Sequence, residues 1–218
     1  MPAVHAPSVL SMTISSIILE VADVSAAARF YADAFGDLPL QFRQSDAPSS
    51  GFRAFTLSLT VAQPSTVNAL VDSAVAAGAS VIKPVTKSMW GHGGSVRAPD
   101  GAIWKVATTA KKDSGPATRQ IESLVLLIGA DDVPASKRFY VEQGLTLGKS
   151  FGSYAEFDLG SSPIKFGLYK RRALAKDAGV PEEGSGSHRL AIVADLGSFT
   201  DPDGFSWEPT AARQPASA

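Results

Sequence analysis

The chain has 218 residues, enough for one large or two small domains with a proper core. Lys and Arg number 20 against 21 Asp and Glu, and the net charge of −1 excludes both the basic footprint of a nucleic-acid binder and a polybasic membrane patch. The absence of cysteine excludes disulfides, thiolate metal sites and a cysteine nucleophile, and no apolar run approaches a bilayer span, so a soluble, cytoplasmic protein is expected.

Residues 1–12, with two prolines, His5 and several small side chains, read as a flexible extension. Ile14 to Ala22 is β-branched and apolar enough for a strand covered on both faces. The period then changes. Ala27, Phe30, Tyr31, Ala34 and Phe35 fall on one helical face, with Asp23 or Ser25 as N-cap and Gly36 as C-cap. Leu38 to Gln44 reads as a strand and Ser45 to Gly51 as a loop. Phe52 to Ala62 alternates as a half-buried strand does. Ser65 or Thr66 is then expected to cap a helix whose apolar face is Val67, Leu70, Val71, Ala74 and Val75. Val81 to Val85 is a strand, Trp90-Gly91-His92-Gly93-Gly94 a flexible turn, and a last strand ends near Thr108.

Residues 111–119 read as a linker. The second half reopens with a strand at Ile121 to Ile128 and a helix at Val133 to Gln143. Strands at Leu145 to Lys149, Tyr154 to Leu159 and Ile164 to Tyr169 follow. Arg171 to Ser187 reads as a long polar loop holding a short helix-like piece at Ala173 to Ala178, and His188 to Ala194 as another strand. Asp195 to Ser198 then leads almost directly to the closing strand, so a helix and its flanking strand are missing from this half; residues 210–218 are a tail.

Two stretches recur. Pro99-Asp100-Gly101 with Trp104 and Lys105 returns as Pro202-Asp203-Gly204 with Trp207 and Glu208, 103 residues on. Asp23 through Phe30-Tyr31 returns as Asp132 through Phe139-Tyr140, 109 residues on. Pro, Asp and Gly together have the chemistry of a tight turn leading into a strand. Self-similarity of this kind marks a duplicated unit, with halves at 13–110 and 120–209. Since neither half could cover its own sheet, the two should pack as one pair.

This order of helix motif and turn motif resembles the vicinal oxygen chelate superfamily of glyoxalases, bleomycin-resistance proteins and extradiol dioxygenases, over roughly residues 13–209. The resemblance implies an α+β fold of paired βαβββ modules forming curved mixed sheets. It also implies metal-ligand positions: in the first half Ser16, Thr56 and Lys105, in the second Ser123 or Val125, then His188 and Glu208. The first-half set offers no good ligand, and Lys105 puts a cation where a carboxylate would serve a metal. His188 and Glu208 do match, with Glu156 or a partner chain as a further donor.

The leading expectation is a glyoxalase/bleomycin-resistance-like protein without cofactor, which binds a small organic molecule in a sheet-lined cleft at Trp90, His92, Trp104 and Lys105. One alternative is a lyase or dioxygenase using nickel, manganese, iron or zinc held by His188 and Glu208. Another is a structural or dimerisation module without a ligand. The uneven halves leave room for a homodimer; no nucleic-acid or membrane partner is expected.

Overall fold

The computed structural model describes residues 12–210. His5, nearly all of the extension and all of the tail beyond Thr210 lie outside the described residues. The first half runs β1 (Ile14–Val21), α1 (Val24–Phe35), β2 (Leu40–Gln44), β3 (Ser49–Gly51), β4 (Phe55–Thr60), α2 (Pro64–Ala76), β5 (Ser80–Ser88), β6 (Gly91–Arg97) and β7 (Ile103–Thr108). The second runs β8 (Ser123–Ala130), α3 (Val133–Glu142), β9 (Thr146–Phe151), β10 (Tyr154–Asp158), β11 (Ile164–Lys170), α4 (Arg171–Ala178), β12 (Gly184–Gly186), β13 (Leu190–Ala194), β14 (Phe199–Thr200) and β15 (Ser206–Pro209). The fold is α+β with mixed sheets in two paired modules.

Both large sheets draw strands from both halves. An eight-stranded sheet runs β5-β6-β7-β4-β8-β11-β10-β9, and a five-stranded sheet runs β14-β15-β13-β1-β2. The halves meet where β4 pairs antiparallel with β8 in one sheet and β1 with β13 in the other. Neither half closes a core by itself, which is the physical reason the pair folds as one body.

One face of each sheet turns inward. A row of paired residues crosses six strands of the large sheet as Val96, Trp104, Leu57, Leu126, Phe166 and Phe157, and all belong to the main core. Ile17, Leu19 and Val21 of β1 face the same core, as do Phe30, Tyr31 and Phe35 of α1, Leu70 of α2 and Tyr140 of α3. Side chains alternate along a strand, so the residues between these rows lie on the outer faces.

The expected face of α1 and several caps are observed, whereas on α2 Val75 is exposed and Thr66 joins Val67, Leu70, Val71 and Ala74 in the buried face. Asp23 and Asp132 accept from the backbone N–H of Ala26 and Ala135, and the buried face of α1 is Ala27, Phe30, Tyr31, Ala34 and Phe35. Other expectations need correction. The N-cap of α2 is Gln63, not Ser65 or Thr66, because Pro64 occupies the first turn. Asp113 of the linker accepts from Ser65 N–H at 2.7 Å instead. The stretch around Trp90 and His92 is a tight β5–β6 hairpin in which Gly91 to Gly94 are strand residues, since flat glycines fit beside the β7 backbone. The helix-like piece expected at Ala173 to Ala178 is a regular helix that begins at Arg171, directly after β11, with Leu174, Ala175 and Ala178 buried. The corresponding strand begins at Leu190, leaving His188 outside it, because Arg189 turns the chain at φ 52°.

A repeated clasp joins helix to turn in each half. The Tyr31 hydroxyl donates to Asp100 Oδ2 at 2.8 Å and accepts from Trp104 Nε1 at 3.2 Å. Tyr140 donates to Asp201 and accepts from Trp207 Nε1 at 3.3 Å. The turns themselves match: Gly101 and Gly204 take φ of 91° and 90°, conformations that exclude most other residues. Burial first, then the facing carboxylates, raise both tyrosines well above their ordinary pKa. Burial likewise raises Asp201, against the bonds from Tyr140 and Phe205 that favour its ionised form.

Tyr140→Phe should lower stability by about 1–3 kcal/mol, since it leaves a buried carboxylate and an indole N–H without their partner; urea unfolding measures it. Tyr31→Phe should cost less, because Asp100 is only half buried and Asp201 is buried. A carboxyl whose folded pKa is raised holds its proton more tightly when folded. The stability Asp201 contributes is therefore present at low pH and lost as pH climbs from 3.8 through its folded value. Asp201→Asn should remove this decline, and melting curves across that acid range test it.

Candidate functional site

The outer face of the eight-stranded sheet carries the residues with chemistry. The row next to the apolar core row reads Lys83, Ser95, Lys105, Ser58, Val125 and Lys165 across β5, β6, β7, β4, β8 and β11. Three of the six are lysines, and these six strands contain no Asp or Glu at all. The one carboxylate at Lys105 comes from outside the sheet: Asp177 of α4 forms an ion pair with it.

Helix α4 follows β11 directly and lies across this face. Leu174, Ala175 and Ala178 are buried with Phe52 and Ile103, and Leu127, Tyr169 and Ile82 pack around them. Its start rests on Gly129 of β8, where a Cβ would come within 3.1 Å of the Arg171 backbone. At its other end Lys83 Nζ donates to the carbonyls of Lys176 and Asp177 at 3.0 and 2.6 Å, and Ser95 Oγ donates to the Ala178 carbonyl at 2.9 Å. Lysine at a helix C-terminus offsets the negative end of the dipole.

Beyond the end of α4 the face opens into a depression of about 360 Å³ whose rim includes Lys83, Thr86, Trp90, Ser95, Lys105 and Asp177. Trp90 stands 81 % exposed at the hairpin tip. His92 contributes to the lining, but its ring contacts Asn68 of α2 at 3.4 Å. Since its place in β6 has the opposite parity to Ser95, the imidazole points to the far side of the sheet from Lys105. Trp104, expected at the ligand, is fully buried in the core with its N–H on Tyr31. Trp90 and Lys105 are thus brought to one depression, while His92 and Trp104 face the other way. A larger groove of about 460 Å³ lies at the start of α1, lined by Asp23, Arg29, Asp33 and Pro99. It is a gap beside α1, and size alone gives it no chemistry.

Glu208 and His188 are placed in the other sheet. Glu208 of β15 pairs with Val193, which pairs with Ser16, so two of the positions the resemblance marks as ligands share one row. Their donors are engaged elsewhere. Arg43 Nη1 donates to Glu208 at 2.8 Å and Nη2 to Glu20 at 2.7 Å, and Gln41 Nε2 donates to Ser16 Oγ at 2.7 Å. The bond to Glu20 comes first among the causes that raise the Arg43 pKa. His188 lies before β13, stacked on Phe205 with ring centroids 3.9 Å apart. Nδ1 faces the Arg53 carbonyl at 2.8 Å and Nε2 the Asp203 carbonyl at 2.9 Å. Each ring nitrogen is thus directed at a backbone carbonyl within hydrogen-bond distance, and neither points to an open position where a metal could sit.

The superfamily implies a divalent metal, and these residues do not fit one. A ligand set needs three or four free N or O donors converging on one point. Lys105 and Val125 supply none, Ser16 Oγ is bonded by Gln41, Thr56 offers only a neutral hydroxyl, Glu208 is held by an arginine, and His188 is held by two carbonyls. Among the described residues no group of three or more His, Cys, Asp or Glu could hold an ion. Glu156 is bonded by Tyr154, whose pKa is pushed up to about 12 by burial and then by Glu156 itself.

Asp177, Lys83, Ser95 and Arg43 are the site residues that motif reading passes over. Two signals pointed to the first three: six strands without an acid, and an apolar spacing at Leu174, Ala175 and Ala178 inside an otherwise polar stretch.

No family model and no curated protein matches the sequence. The fold does have neighbours of known structure. Glyoxalase I from Zea mays is similar at a TM-score of 0.58 and 13 % identity, over 90 % of this chain and 91 % of that one. A dioxygenase-like protein from Bacillus subtilis is similar at a TM-score of 0.60 and 11 % identity, over 94 % of this chain and 86 % of that one. The chain has the fold of the vicinal oxygen chelate superfamily, and at these identities the likeness extends to the fold. Among the described residues no helix is long and apolar enough to cross a membrane.

His188→Ala should lower stability by about 1–3 kcal/mol, because the carbonyls of Arg53 and Asp203 lose the ring that joins them. The loss should be the same with and without added nickel or zinc, which thermal melts under both conditions would report.

Proposed function

We propose that the protein binds a small organic molecule on the outer face of its large sheet, in the depression between the β5–β6 hairpin and α4, without a metal ion. The observation that carries this reading is the lysine row at that depression with an exposed indole beside it. At about 360 Å³ the space is of the size that small ligands fill. Trp90 offers a flat apolar surface for stacking, and Lys105 and Lys83 offer charge. Superfamily neighbours named as glyoxalase I and as a dioxygenase support a ligand-handling ancestry for this fold. The chemistry of those enzymes is not carried over, since the donors a metal would need are absent or engaged, and function must be argued from the site.

Binding here needs no nucleophile and no acid–base pair, so sequestration or sensing of a ligand is the activity proposed. The test is tryptophan emission during titration with a library of small aromatic and aliphatic molecules. A ligand in this depression should quench Trp90, and Trp90→Phe should abolish the signal while calorimetry still detects binding. Lys105→Met should weaken binding by about tenfold, the loss of one charge-assisted contact. Ligands that bind with affinities unchanged in both Trp90→Ala and Lys105→Met would place the site elsewhere and end this reading.

A further inference from the structure

Resting on that reading, we infer that α4 is a built-in pseudo-ligand of the large sheet, and that the molecule it stands in for is an organic anion whose carboxylate, sulfonate or phosphate replaces Asp177 on Lys105. Three independent observations converge on it. The outer face of β5, β6, β7, β4, β8 and β11 is cationic without any acidic residue in those strands. Both negative features of α4 are set on that face: the Asp177 carboxylate on Lys105, and the carbonyls of the last turn on Lys83. The floor beneath the helix is an apolar cluster of Phe52, Ile103, Ile82, Leu127 and Tyr169, and two hydroxyls stand beside it on the same face. Among the described residues, the hydroxyl of Thr56, fully buried and paired with Leu127 on this face, has no hydrogen-bond partner, and that of Ser95, 1 % exposed, bonds only the Ala178 carbonyl at the end of α4.

A buried hydroxyl without a partner is a cost that natural cores rarely retain. On a surface that opens to receive a polar ligand it is satisfied when the helix is displaced. The helix is light enough to move: it has eight residues, and its anchoring apolar contacts are Leu174, Ala175 and Ala178. An anion that takes Lys105 removes the ion pair at the C-terminal end of α4, and the rest of the helix loses its electrostatic seat. Affinity is then reduced by the fraction of time the helix is closed, so loosening α4 raises apparent affinity without a new contact.

The test uses the full chain and two probes of one shape, anilinonaphthalene sulfonate and its uncharged parent phenylnaphthylamine. Asp177→Asn should tighten the sulfonate about fivefold, the upper range for freeing a half-exposed ion pair, and the neutral probe clearly less, since only the sulfonate also gains the freed Lys105 charge. Lys105→Met in the same background should cancel the gain. Leu174→Ala, which loosens α4 without altering charge, should tighten both probes together. In the wild type, sulfonate binding should speed amide hydrogen exchange across residues 174–178. Equal effects of Asp177→Asn on the two probes, no effect on either, or slower exchange in α4 on sulfonate binding would overturn the pseudo-ligand. If the neutral probe still binds and depends on Trp90, the binding function stands and only this inference falls. If neither probe binds any variant, the proposed function falls and this inference with it.

Discussion

The architecture depends on a tyrosine held between an aspartate and a tryptophan, made twice. In each copy a helix supplies the hydroxyl, the turn before a closing strand supplies the carboxylate, and the strand supplies the indole N–H. Tyr31 belongs to the helix beside the five-stranded sheet, whereas Trp104 belongs to the eight-stranded sheet, so the first clasp ties the two sheets together. Tyr140 and Trp207 make the reverse connection, from a helix beside the large sheet to a strand of the small one. A buried polar group is costly unless satisfied, and here each hydroxyl is satisfied as donor and acceptor only in the native arrangement of both sheets. That makes the clasp a specificity device as well as a stabilising one.

Once the sheets are fixed in this way, alternation along the strands decides where chemistry can sit. Trp104 and Lys105 are neighbours in sequence, yet one is sealed in the core and the other stands on the outer face. His92 and Ser95 divide in the same manner within β6. The large sheet therefore has an apolar side and, across β5, β6, β7, β4, β8 and β11, a cationic one, and α4 lies on the latter with Asp177 set on Lys105. In the small sheet the outer face is neutralised differently, by Arg43 reaching Glu20 and Glu208 at once. At the places the resemblance marks for ligands, an arginine occupies the carboxylate of Glu208 in one sheet and Lys105 pairs with Asp177 in the other.

The second half lacks the helix expected between β13 and β15, and the short β14 stands in its place. The half instead keeps α4, inserted before β13, and uses it to cover the outer face. His188, which an alignment by motif sets at a ligand position, is drawn out of the strand by the turn at Arg189 and becomes a bridge between Arg53 of the first half and the Asp-Pro-Asp-Gly turn of the second.

Local patterning determined the buried face of α1 residue by residue, its cap at Asp23 and the turn before each closing strand, because these follow from local spacing and short-range hydrogen bonds. The sequence also carried the charge pattern of β4, β5, β6, β7, β8 and β11, with their lysines and no Asp or Glu. It did not carry which strands would be neighbours. Sharing of both sheets between halves, the opposed directions of His92 and Lys105, the capture of Glu208 by Arg43 and the docking of α4 on the lysine row were decided only by the tertiary structure. Each depends on cross-strand register or on contacts between residues more than twenty positions apart, and such long-range pairing leaves no mark in a local window.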